Sequence, residues 1–345
     1  MKVLNKNEFK EKIDLDLKDK KILKLLSINS RFPLTKICKY IRLTRDAVNY
    51  RIKGLEEKNI ITGYRTLINL KKLGYSSYHI FIELHPNREK EKELIDFFKK
   101  NENINAIIKY SGKLDYEIAL VCKTFEEFDN VFNKIINKYE VKNYEILIIL
   151  NTIKSSSFPE SLLNEKIPIE NKKNDGSFFK NFINAKNTDF KLDKADIKIL
   201  NLISNDAKIS LTELSKNTSL SLDVISYRIK KMIESKIILE FRPVINYNNL
   251  GFSVYTLLLS LQNLNDKKEI ELIEFFKNNK NILWGVKTIG KWNLLIYILT
   301  KDEQEFHSTI SEIKNKFSSI IKTYETLLAD EEYKYTYFPE VLSKI

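Results

Sequence analysis

The stretch DAVNYRIKGLEEKNII at residues 46–61 has a near copy, DVISYRIKKMIESKII, at residues 223–238. The match is not confined to that stretch. LDLKDKKILKLLS begins at Leu15 and LDKADIKILNLIS at Leu192, an offset of 177 residues. The offset holds without a gap through Tyr50/Tyr227, Arg65/Arg242, Asn69/Asn246, Gly74/Gly251 and Tyr78/Tyr255. Small insertions then widen it to 178 at Gly112/Gly290 and to 180 at the FPE triplets that begin with Phe158 and Phe338. Solenoid repeats recur every ~20–50 residues. A period this long is a duplication of a whole folding unit, so one module of about 150 residues is used twice. The segment between the copies, residues 164–191, is polar, rich in Asn and Lys, and contains Asp-Gly. It reads as a linker with one short ordered piece at residues 178–183.

Each module divides into two parts. The first part is helical. Ile22, Leu23, Leu25 and Leu26 form an apolar stripe after Asp16, a candidate N-cap. Pro33 opens a second helix with Leu34, Ile37, Cys38 and Ile41 at helical spacing, and RDAVNYRIKGLEEK forms a third with Val48, Ile52 and Leu55 inward. IITGYRTLI alternates and carries Gly63, as a short hairpin does. Three helices and a hairpin make a winged helix-turn-helix. In the second part strand and helix patterns run β-α-β-β-α-β, the ferredoxin-like split arrangement. The expected fold class is α+β, a tandem duplication of winged helix-turn-helix plus ferredoxin-like domain. The boundaries read as winged helices at residues 1–70 and 192–247, and ferredoxin-like domains at 71–163 and 248–345.

Charge bears on the partner. The 345 residues carry 58 Lys and Arg against 46 Asp and Glu, a net +12. An excess of this sign suits a polyanion, nucleic acid before an acidic membrane. Both cysteines, Cys38 and Cys122, lie in amphipathic patterns and read as reduced core thiols, which implies a cytoplasmic protein. Residues 1–20 show no apolar signal core, and the longest apolar runs are of strand length, too short to span a bilayer.

The segments LTRDAVNYRIKGLEEKNIITGY, LKKLGY and SGKLDYEIAL, with LSLDVISYRIKKMIESKIILEFRPVI, YNNLGF and IGKWNLLIYI in the second copy, resemble the Lrp/AsnC (feast/famine) family of transcription regulators. The resemblance covers both modules. Ordinary members carry one module and act as dimers, with the ferredoxin-like sheets packed together and two heads offered to DNA. It therefore implies double-stranded DNA as partner, and either an intrachain pseudo-dimer or a homo-oligomer.

The third helix of such a head lies in the major groove. With Val48, Ile52 and Leu55 inward, Arg45, Asn49 and Lys53 form an outward stripe with Asp46 and Tyr50 beside it. Arg pairs with guanine O6/N7 and Asn with adenine N6/N7. Thr44 stands where an N-cap presents its helix end to phosphate. The second stripe reads Leu222, Ser226 and Lys230, with Tyr227 beside it. Arg51 and the aligned Arg228 suit either a phosphate or a carboxylate such as Asp19 or Asp196. Residues 15–75 carry a net +10 and residues 192–252 a net +2, so the first head is expected to be the main reader.

The resemblance also implies a small-molecule pocket, usually for an amino acid, at the loop between the second and third strands of the ferredoxin-like domain. Here that loop holds Gly112 and Asp115, and in the second copy Gly290 and Asn293. A hairpin turn needing glycine is the other reading of the same residues. Some relatives of this architecture are siroheme decarboxylases. The chain shows none of the His- and Arg-bearing loops that resemblance would require. His79, His85 and His307 have no metal-ligand spacing, and no phosphate-binding glycine loop or nucleophile elbow appears. No catalytic residue, metal or cofactor is expected. A scaffold that has lost DNA binding is a third reading.

Overall fold

The computed structural model describes residues 13–344 apart from 140, 164, 166 and 168–190. The expected ordered piece at residues 178–183 lies outside the described residues. The described chain forms two compact units, each built from both modules.

One unit comprises Leu15–Gly74, Leu163–Ile245 and Tyr337–Ile345. It holds the first head, α1 (Leu17–Ile28), α2 (Leu34–Ile41), α3 (Arg45–Glu57) and β1 (Ile61–Ile68). The second head is α6 (Lys194–Asn205), α7 (Leu211–Thr218), α8 (Leu222–Glu234) and β6 (Ile238–Ile245). Five of these six helices start on a side-chain cap, from Asp16, Thr44, Asp193, Ser210 or Ser221; α2 starts at Pro33 without one. The caps satisfy amides that a helix start leaves without a partner.

The wing departs from the expected hairpin. β1 does not fold back within its module; it pairs antiparallel with β6 of the other module. Gly63 marks a bulge where the register shifts after Ile61, not a turn. In this ribbon Arg65 faces Arg242, its own equivalent in the repeat, so a local two-fold axis passes through the pair. Contacts on either side repeat accordingly. Ser30 N–H donates to Phe241 O at 2.8 Å and Ala207 N–H to Tyr64 O at 3.1 Å. The Arg31 guanidinium lies 5.4 Å from the Phe241 ring, and Lys208 Nζ 3.7 Å from the equivalent Tyr64 ring. The barrel-forming unit takes in the second module from Asn246 to Thr336. Tyr337–Ile345 belongs with the heads, where the buried Leu342 anchors a 3-10 turn (Glu340–Lys344) against α6.

The other described unit holds β2 (Ser76–Leu84), α4 (Arg88–Lys100), β3 (Ile104–Ser111), β4 (Tyr116–Cys122), α5 (Phe125–Lys138) and β5 (Val141–Ser155). Their repeats are β7 (Ser253–Leu261), α9 (Asp266–Asn278), β8 (Ile282–Gly290), β9 (Leu294–Thr300), α10 (Glu303–Lys316) and β10 (Ile321–Tyr335). The eight strands close into one barrel, ordered β10-β3-β4-β2-β5-β8-β9-β7. The long strands β5 and β10 cross between modules, β5 onto β8 and β10 onto β3, so no sheet edge is left open. Strand alternation then has two buried faces. Ile80, Ile82, Ile118 and Leu120 face α4 and α5, and Leu257, Leu259, Ile296 and Ile298 form the equivalent core with α9 and α10. The alternate positions close on each other inside the barrel, where Phe81, Val121, Leu258 and Leu299 are buried. Among the described residues no helix is long and apolar enough to cross a membrane.

Candidate nucleic-acid interface

The third helix of each head is fixed from three sides. Val48, Ile52 and Leu55 bury one face of α3, as Ile225, Ile229 and Met232 do for α8. Each preceding turn passes through a left-handed residue, Arg42 (φ 56°) or Ser219 (φ 59°), which sets the angle between the second and third helices. Sequence reading did not single out Arg42, an exposed cation at this turn. Each helix then opens on a hydroxyl cap, Thr44 Oγ1 accepting from Ala47 N–H at 3.3 Å and Ser221 Oγ from Val224 N–H at 3.4 Å.

The third fixing point is an arginine. Arg51 donates to Asp16 Oδ2 at 2.6 Å and Asp19 Oδ1 at 2.7 Å; Arg228 donates to Asp193 and Asp196 at 2.8 Å each. Of the two partners the sequence allowed, the structure gives both arginines the carboxylates. Each guanidinium ties the third helix to the first turn of the first helix, where the carboxylates also favour the helix dipole. Asp193 sits below the ordinary aspartate range because the Asp196 amide donates to it and Arg228 lies beside it. Burial pushes Asp16 up, but the Asp19 amide and Arg51 together bring it below that range.

With these groups facing inward, Arg45, Asn49, Tyr50 and Lys53 are left exposed on α3. On α8 the exposed residues include Leu222, Val224, Ser226, Tyr227 and Lys230, with Asp223 in the first turn and Ile233 and Glu234 in the last. The scaffold is repeated closely, but the surface it presents is not.

The loop residues expected at an effector pocket have defined backbone roles. Asp115 Oδ2 accepts from Leu84 N–H at 2.8 Å and Asn293 Oδ1 from Leu261 N–H at 2.7 Å, each closing the end of a strand. Gly112 (φ 150°) and Gly290 (φ 143°) adopt conformations that favour glycine, where the loop approaches the other module. A Cβ on Gly290 would lie 2.3 Å from Ile146 O, and one on Gly112 2.9 Å from Leu327 Cδ2. Among the described residues no group of three or more His, Cys, Asp or Glu side chains could hold a metal ion.

Inside the barrel lies a polar cluster that sequence reading missed. Buried Glu117 is paired with His79, Nδ1 to Oε1 at 2.5 Å, and accepts from Tyr297 at 2.7 Å and from Tyr110. Because the Tyr110 proton goes to Glu117, Thr256 Oγ1 donates to Tyr110 at 2.8 Å. Burial, with the carboxylate alongside, pushes both phenols far above the usual tyrosine value. The repeat equivalents are Thr256 for His79, Thr288 for Tyr110, Leu295 for Glu117 and Ala119 for Tyr297. The cluster thus needs one copy of each module.

A winged helix-turn-helix DNA-binding family model matches residues 15–62 and again residues 192–238. The transcriptional regulator LrpA of Pyrococcus abyssi is 35% identical over 127 residues, which is 36% of this chain and 89% of LrpA. The regulator FL11 of the same organism is 30% identical over 146 residues, 42% of this chain and 96% of FL11. Among solved structures, the siroheme decarboxylase NirDL covers 95% of this chain and 97% of its own at a TM-score of 0.61 and 13% identity, a likeness of fold. The two heads, the two ferredoxin-like halves and these relatives lead to one conclusion: the chain belongs to the Lrp/AsnC family of transcription regulators, with two modules fused in tandem.

Proposed function

We propose that the chain is a sequence-specific, double-stranded-DNA-binding regulator in which one polypeptide does the work of a dimer. The observation that carries this is the exposed Arg45–Asn49–Lys53 stripe, on a third helix held by its buried face and by the Arg51 clamp. Arg45 suits guanine, Asn49 adenine, and Lys53 with Arg42 the flanking phosphates. Arg51 holds the helix in place through Asp16 and Asp19. The second head, with less positive charge, adds a weaker grip through Ser226, Tyr227 and Lys230; Arg228 repeats the positioning role of Arg51.

The experiment is a retardation titration of the full chain on duplex DNA at several salt concentrations. A preferred fragment should emerge, with log affinity falling linearly against log salt. Equal, salt-insensitive affinity for all duplexes would refute the reading. An amino-acid effector at Gly112–Asp115 and Gly290–Asn293 is supported by family resemblance alone, and calorimetry of the wild type against the common amino acids tests it. Likeness to NirDL is one of fold; tetrapyrrole absorbance in the purified protein would favour an enzyme instead.

A further inference from the structure

We infer that the chain recognises an asymmetric DNA site, one half through Arg45 and Asn49 at guanine and adenine, the other through Leu222 and Val224 against thymine methyl groups. The inference rests on the DNA-binding reading above and adds what the second head reads and in which orientation the protein binds.

A dimer of identical chains presents identical helices, and its target mirrors that symmetry. Here the framework keeps the symmetry. The wings cross at Arg65 and Arg242, which are repeat equivalents, and the Ser30 and Ala207 amides make reciprocal bonds across the pair. The Arg51 and Arg228 clamps and the Thr44 and Ser221 caps are likewise equivalent. The two third helices are therefore held alike within their heads and related by the local axis. Their inward positions stay apolar, while the leading outward positions change in chemistry.

That difference has a chemical direction. Leu222 is 46% exposed and Val224 40% exposed, while Ile225, Ile229 and Met232 supply the inward face. The head's core does not need the first pair, and apolar side chains gain nothing from water at the leading turn of a helix. The equivalent positions in the first head are Arg45 and Ala47. In the major groove the C5-methyl of thymine is the base-edge group that takes an apolar contact. The surroundings suit DNA, because Ser226 and Lys230 follow Leu222 at four-residue spacing along one exposed face, and Val224 stands on the other side of the same leading turn. Asp46 and Asp223 occupy the same first-turn position in both heads and so do not distinguish the half-sites.

The test begins with selection of duplexes from a random pool by the full chain. The expected motif lacks inverted-repeat symmetry, with a guanine- and adenine-bearing half and a thymine-bearing half. Replacing thymine by uracil in the second half removes only the methyl. Each methyl lost from such a contact should weaken binding about fourfold, and the effect should vanish in the variant Leu222→Ser with Val224→Ser. Both positions are exposed, so that variant should fold. In a second variant, Leu222→Arg with Ser226→Asn, the selected motif should move toward an inverted repeat of the first half-site. A symmetric wild-type motif would overturn the inference while leaving DNA binding intact. So would silent uracil substitution in the second half, where changes in the first half still weaken binding. Failure to enrich any sequence would overturn the DNA-binding reading and this inference together.

Discussion

Glu117, on β4 of the first module, accepts the hydroxyl of Tyr297, on β9 of the second, at 2.7 Å inside the closed barrel. Two identical modules could not make this bond, because the equivalents of Glu117 and Tyr297 are Leu295 and Ala119. Fusion has allowed the two halves of the barrel to differ, which strict two-fold symmetry forbids. Removing one member of a buried network leaves its partners unsatisfied, at about 1–3 kcal/mol each. Glu117→Gln and Tyr297→Phe should each destabilise the full chain. Their combination should fall short of additivity by roughly 0.5–3 kcal/mol, as for directly coupled groups. Denaturant unfolding of the four proteins gives that coupling, and additive losses would mean that the two side chains act independently.

The clamp between Arg228 and the Asp193–Asp196 pair should be a folding element. Arg228→Ala should lower stability without DNA, and Arg51→Ala should do the same through Asp16 and Asp19. Asp193 has its carboxyl lowered from 3.8, so its contribution is fully present above that value and is lost as pH falls through the lower folded value. Unfolding curves between neutral and acid pH should lose part of their pH dependence in Arg228→Ala. Unchanged stability combined with weakened DNA binding would return both arginines to the phosphate role.

Three glycines differ in what a methyl would meet. Gly290→Ala should be the most damaging, since its new Cβ meets the backbone oxygen of Ile146 at a φ of 143°. Gly112→Ala should cost less, because it meets the end of the Leu327 side chain. Gly54→Ala, inside α3 with nothing within 4 Å, should stabilise by about 0.5–1 kcal/mol. Thermal unfolding gives the order, and equal losses at all three would contradict it.

Asn293 performs for Leu261 the task Asp115 performs for Leu84. Asp115→Asn should therefore leave stability almost unchanged, and Asp115→Ala should cost about 1 kcal/mol for the lost acceptor. Calorimetry on Asp115→Asn separates the two readings of the loop. Loss of an amino-acid response in a protein of unchanged stability would mark a carboxylate that holds a ligand's ammonium group.

The repeat made the modules legible because its spacing survives in sequence, and helical spacing placed Val48, Ile52 and Leu55 inward. What stayed hidden depends on pairing between modules. In sequence Gly63 fits a turn as well as a bulge, because its strand partner Val244 leaves no local signal. His79, Tyr110 and Tyr297 alternate with apolar neighbours in strands, and the sequence does not say that their face closes on another module. Only the fold brings them to Glu117. Arg51 illustrates the opposite case: its two partner chemistries were both visible, and the position of Asp16 and Asp19 decides between them.

The most direct measurement is the affinity of Arg45→Ala and Ser226→Ala, as full chains, for one selected duplex at two salt concentrations. Arg45 belongs to the head with net +10 and Ser226 to the head with net +2. A lost base contact costs roughly 1–3 kcal/mol and relaxes preference at that base pair. Arg45→Ala should weaken binding by about that amount and broaden the sequence preference, while Ser226→Ala changes both little and wild-type binding falls steeply with salt. Equal losses from the two substitutions would contradict a leading first head, and no loss from either would contradict the placement of DNA against these helices.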